Sequence, residues 1–191
     1  VIEGKHIQPF AADTAAPRFR ITAAAARNAL PQRTFEQSRL AYRDVSAVSN
    51  RQSLIAAIVP SNVVTTHTLF CLKTPLDLTR QHFLCACFNS FILNAIVRML
   101  MGGHLTTSLV EGLPVPCWTG SKRQRRIARL SGLISANGVS SPAAARLQAL
   151  VAIEYGIDVA TFSKVLAGFP LIPESERDRA RAGFEDILMR G

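Results

Sequence analysis

Cations dominate the side chains of this sequence that could do chemistry. The densest basic cluster is Lys122, Arg123, Arg125, Arg126 and Arg129. On a helix, Lys122, Arg125 and Arg129 share one face, while Ile127, Leu130 and Ile134 face elsewhere. Such a stripe can follow a phosphate backbone. The solvated face of an ordinary helix looks the same. A second, dispersed set comprises Lys5, His6, Arg18, Arg20, Arg33, Arg39, Arg43, Asn50 and Arg51. On loops beside short strands, these residue types can read base edges, because arginine pairs bidentately with guanine and asparagine with adenine. Arg43 falls within a predicted strand and could simply anchor it, and Arg39 opens the same strand. The candidate nucleic-acid contacts are therefore Lys5, His6, Arg18, Arg20, Arg33, Asn50, Arg51, Lys122, Arg123, Arg125, Arg126 and Arg129.

Catalytic chemistry finds no comparable foothold. A methyltransferase acting on exocyclic amines needs a glycine-rich cofactor loop and an Asn/Asp-Pro-Pro-aromatic motif. No asparagine or aspartate here precedes a proline, and neither GxGxxG nor GxxxxGK[ST] occurs. His6, His67, His82 and His104 are scattered without metal-ligand spacing. Cys71, Cys85, Cys87 and Cys117 form no CxxC pair. Three of them have apolar neighbours, which predicts reduced core thiols in a cytoplasmic protein. No GxSxG nucleophile elbow and no Asp/Glu-x-Lys nuclease triad stands out. The expectation is a chain with no catalytic, cofactor-binding or metal-binding residues of its own.

The elements that must position the cations belong to a chain of 191 residues, 48% hydrophobic, with a net charge of +9. That composition excludes global disorder. Of its 22 cations 18 are arginine, which fits a polyanionic partner or a solubilising surface. Residues 11–17 read as a loop, and 23–26 as a helical turn or variable excursion closed by Pro31. Strands are predicted at 39–45, 54–59 and 63–72, with a polar connection at 46–53. A long buried helix follows at 77–101, capped by Asp77 or Thr79 and stopped by Gly102-Gly103. Asn89, Ser90, Asn94 and Arg98 interrupt its apolar run, which argues against a membrane span. Residues 105–110 could return as a strand before Leu113-Pro114-Val115-Pro116. From Ser121 the pattern turns helical. A basic helix is followed by one opened by Ser141-Pro142 and stopped by Gly156. Asp158 caps the next, and a last helix opens at Pro173 with acids early and Arg190 at its end.

Several stretches resemble the specificity region of type IIG restriction-modification enzymes and related bacterial adenine-N6 DNA methyltransferases. VIEGKHI at 1–7 resembles their lead-in to that region. RLAYRDV at 39–45, Asn50-Arg51 and SLIAAIVP at 53–60 resemble the next block. FNSF at 88–91, His104-Leu105 and LPVP at 113–116 resemble the closing helix and its exit. LQALVAIEYGID at 147–158 and VLAGFP at 165–170 resemble the C-terminal tail of phage-defence methyltransferases. The blocks span nearly the whole chain in order. The resemblance implies that an N-terminal methyltransferase domain, joined in cis, carries S-adenosylmethionine and the catalytic motif. It implies that this part selects the sequence of double-stranded DNA. Residues 11–33 match no block, and target-recognition domains vary most where they read bases.

The expected fold class is therefore α+β: a mixed α/β target-recognition domain over residues 1–117 with short strands and a buried long helix, then a small helical tail over 118–191. The expected function is DNA recognition for an adenine methyltransferase whose catalytic domain is missing here, a fragment reading that the initial Val1 suits. The rivals are an autonomous nucleic-acid-binding module, a protein-interaction domain that never touches DNA, and an unrecognised hydrolase or nuclease.

Overall fold

The computed structural model describes residues 1–30, 32–44, 50–74, 76–101, 105–139 and 142–190, the last without its side chain. Expectations resting on Pro31, Val45 and residues 46–49 of the 46–53 connection, Gly102-Gly103, His104, Ser141 and the Arg190 side chain fall outside the described residues. The fold is α+β. An N-terminal ribbon pairs β1 (Ile7–Gln8) with β2 (Ala11–Ala12), and α1 (Ala23–Ala29) follows, capped by Thr22. A three-stranded antiparallel sheet has the order β4-β3-β5, from β3 (Arg39–Arg43), β4 (Ala56–Val59) and β5 (Leu69–Cys71).

Period-two alternation divides that sheet's side chains between two cores. Leu40, Tyr42 and Ala56 face the main cluster, whereas Ala41, Ala57, Val59 and Leu69 face a smaller one containing Ile2 and Ile7. The predicted strands at 39–45 and 54–59 exist in shortened form. The third spans only Leu69–Cys71, and of the β-branched run before it Thr65 makes an isolated bridge to Ile2. β-Propensity there lost to the tertiary pairing available.

The single long helix expected at 77–101 is two helices, α2 (Leu78–Phe88) and α3 (Phe91–Leu100), which meet at 60°. Asp77 caps α2 by accepting from Arg80 N at 2.9 Å, and Ser90 caps α3 by accepting from Leu93 N. β4 is an edge strand, and Asn89 satisfies that edge: its Oδ1 accepts from Ala56 N at 3.1 Å and its Nδ2 donates to Ala56 O at 2.8 Å. Asn94 Oδ1 accepts from Ser53 N and Leu54 N, while its Nδ2 donates to Phe88 O and Ser90 O. Unpaired backbone groups at such buried positions would cost ~1–3 kcal/mol each. The break is what lets two buried asparagines satisfy them. Residues 105–110, expected as a strand, instead lead into the short helix α4 (Thr107–Glu111), because Thr106 caps it.

The remaining helices are α5 (Lys122–Asn137), α6 (Pro142–Glu154), α7 (Val159–Ala167) and α8 (Glu174–Arg190). Ser121 caps α5, Asp158 caps α7, and Gly156, at φ +70°, lies just past α6. α5 packs on α2 and α6, and α6 packs on α8. The main apolar cluster runs from Leu40 and Phe83 through Ile127 and Ile134 to Leu147 and Val151, across the expected 117/118 division. Phe91, Phe162, Phe169 and Phe184 belong to another cluster, between α3 and the last helices. Among the described residues no single helix is long and apolar enough to cross a membrane.

Candidate nucleic-acid interface

α5 presents the cations of the basic cluster as a block. Gln124, Ile127, Ala128, Leu130, Ser131 and Ile134 are buried. This leaves Lys122, Arg123, Arg125, Arg126 and Arg129 all exposed. Arg123 pairs with Glu154 at 3.5 Å, and Arg125 Nε donates to Gly120 O at 2.9 Å. Lys122, Arg126 and Arg129 have no carboxylate partner among the described residues. Helix N-termini favour acids, because the first-turn N–H groups carry partial positive charge. α5 has no acid in its first turn or anywhere along its length. Repulsion between cations three and four residues apart adds to that cost. The placement lowers helix stability, and a bound polyanion would offset it.

Gln124, a lone amide inside the basic run, aligns this end of the helix. Its Oε1 accepts from Thr119 N and Gly120 N, and its Nε2 donates to Cys117 O and to Glu154. The only hint of this in the sequence was an uncharged residue at a position now seen to be buried.

The dispersed candidates separate into two kinds. Lys5 pairs with Glu3 at 2.9 Å, and His6 Nδ1 accepts from Glu3 N, so both serve the turn at Gly4–His6. Arg39 Nη2 donates to Val63 O at 2.8 Å, and Arg43 Nε donates to Ile7 O at 2.9 Å, so both anchor strands. Burial holds the Arg43 guanidinium below its usual pKa. Arg51 pairs with Glu176 of α8, and Asn50 offers its carbonyl to Arg98. Arg18, Arg20 and Arg33 are exposed around α1 and make no ion pair among the described residues. Arg33 adopts the left-handed region at φ +51° and precedes the turn at Thr34–Glu36.

β2 touches α5, and its Ala11 lines the same cleft as Val139, just beyond the helix C-terminus. That cleft, of about 310 Å³, also exposes the Arg51–Glu176 pair and the amides of Gln52 and Gln148. A larger groove of about 600 Å³ is lined by Tyr42, Phe70, Leu84, Glu111 and Val115.

Burial, with help from Glu111, pushes the Tyr42 hydroxyl up to about 12. Burial also pushes the Cys85 thiol up to about 12 and raises Cys87 further. Among the described residues no group of three or more His, Cys, Asp or Glu side chains is placed to hold a metal ion. The sequence contains no glycine at 13–22, between β2 and α1, or at 72–77, between β5 and α2. Compared with known proteins, the chain matches no protein-family model, no curated protein and no solved structure.

Proposed function

We propose that this chain is the DNA target-recognition part of an S-adenosylmethionine-dependent adenine-N6 methyltransferase. The observation that carries the DNA part of the reading is the acid-free, cationic N-terminal end of α5. Three exposed cations, Lys122, Arg123 and Arg125, crowd the first turn, where the helix dipole disfavours them, Arg126 and Arg129 extend the cluster, and a phosphate backbone is the partner that repays the cost. The ordered sequence blocks described above point to this enzyme class. The same resemblance assigns S-adenosylmethionine binding and methyl transfer to a catalytic domain joined in cis. In this reading α5 holds phosphates, and the exposed arginines around α1 also lie against the duplex.

Fluorescence anisotropy with a labelled mixed-sequence duplex, titrated with salt, tests the proposal. Binding should tighten steeply as salt is lowered, with a log–log slope set by the phosphates contacted. Absence of duplex binding at low salt would sink the reading. A protein-docking function would then take its place, favoured by Met99 and Leu100, which end α3 at 76% and 60% exposure.

A further inference from the structure

Residues 18–21 combine features that neither the fold nor the phosphate contacts use. Arg18, Phe19, Arg20 and Ile21 are consecutive and all exposed, with Phe19 at 47% and Ile21 at 43%. Neither Phe19 nor Ile21 belongs to any of the apolar clusters. The backbone is nonetheless held on both sides. Phe19 O accepts from Val1 N at 2.9 Å, and Thr22 caps α1 through Ala25 N. The Arg18 guanidinium carbon lies 5.0 Å from the Phe19 ring centroid. An anchored, exposed aromatic ring between two arginines matches a ligand that offers flat apolar planes between negative charges. Stacked bases between phosphates have that chemistry. An acidic membrane surface fits less well. It wants a broad amphipathic helix, and the neighbouring α1 exposes mainly alanine.

We infer that Phe19 is a wedge that enters a base step of duplex DNA, with Arg18 and Arg20 gripping the flanking phosphates. The inference rests on the DNA reading above and adds to it the point at which the duplex is opened. A wedge partly unstacks the step it enters and kinks the helix. Pyrimidine–purine steps deform most cheaply, so Phe19 favours TA and CA steps without touching a base edge by hydrogen bonding.

The protein has one tryptophan, Trp118, so Phe19→Trp in a Trp118→Phe background creates a single reporter. Three probes are added at low salt: a short mixed-sequence duplex, one of its strands alone, and phosphatidylserine vesicles. Thermal melts confirm that each variant is folded. The wedge predicts quenching of the tryptophan emission by the duplex, and about tenfold weaker duplex binding for Phe19→Ala. If the wild-type chain binds the duplex but neither the emission nor the Phe19→Ala affinity changes, the wedge is wrong and the DNA reading stands. If the single strand or the vesicles change the emission and the duplex does not, the wedge is likewise overturned. If the wild-type chain does not bind the duplex at all, the DNA reading fails and takes the wedge with it.

Discussion

The guanidinium carbon of Arg98 lies 4.2 Å from the ring centroid of Phe169, so a cation from α3 is stacked on the segment between α7 and α8. The same side chain donates from Nη1 to Gly168 O at 2.8 Å and from Nη2 to Asn50 O at 2.6 Å. Burial lowers its pKa. One arginine thus ties the 50–53 segment, which carries Arg51, to the last two helices.

Removing that tie should loosen the whole junction. Arg98→Ala should destabilise the fold by about 2–3 kcal/mol, from charged hydrogen bonds and the cation–π contact together. Arg98→Lys should recover only part of the loss, because an ammonium cannot reproduce the planar fork. Urea unfolding measures both. An Arg98→Ala variant as stable as wild type would show that these interactions contribute nothing.

Arg51 meets α8 through Glu176, which occupies a side chain that the sequence offered as a candidate DNA contact. Glu176→Gln should release it and tighten duplex binding by about two- to fivefold, the scale of an exposed ion pair. The double variant with Arg51→Ala should return to the affinity of Arg51→Ala alone. Unchanged or weaker binding by Glu176→Gln would remove Arg51 from the interface.

Arg125 and Arg129 are exposed on α5. As phosphate ligands they should matter equally for every sequence. The pair of alanine substitutions should weaken binding to all duplexes alike and reduce the salt slope by about 1.8, or about 0.9 for each phosphate no longer neutralised. Selection from a random duplex library should leave the preferred sequence unaltered. A changed preference would mean that these side chains read bases.

His82 of α2 is half-buried against α5, with Nδ1 3.3 Å from Ser131 Oγ. Burial holds its pKa below the ordinary imidazole value. The unfolded chain therefore takes up a proton first as pH falls. The contribution of neutral His82 is complete above pH ~6.5 and declines as pH drops below it. Unfolding measured at pH 7.5 and 5.5 should show a loss of stability that is smaller in His82→Gln. An equal loss in both proteins would place the titrating group elsewhere.

Much of the local structure was legible in the residues. Asp77, Asp158 and Gly156 mark helix ends, because capping and positive φ are short-range requirements. The alternation of Leu40 and Tyr42 declared one sheet face, and the spacing of Ile127, Leu130 and Ile134 declared the inner face of α5. The break at Asn89-Ser90 was not legible as a break. Its polar residues read as interruptions of one helix until β4 supplied the edge that Asn89 satisfies. The dispersed cations were equally ambiguous, since arginine type does not reveal whether a carbonyl, a carboxylate or solvent awaits it.

The sequence by itself determined an α+β chain with a strongly basic α5, an apolar inner stripe beneath it, and no glycine-rich cofactor loop or Asn-Pro-Pro motif. Those properties are written in neighbouring residues and repeat periods. Only the tertiary structure decided that Arg39, Arg43 and Arg98 serve the fold, that Arg51 is paired with Glu176, and that Phe19 stays in solvent between two arginines. The physical reason is range. Periodicity shows which face of an element is apolar, but what meets each side chain depends on segments far away in the chain, and pairing or desolvation by those segments settles which cations are left free.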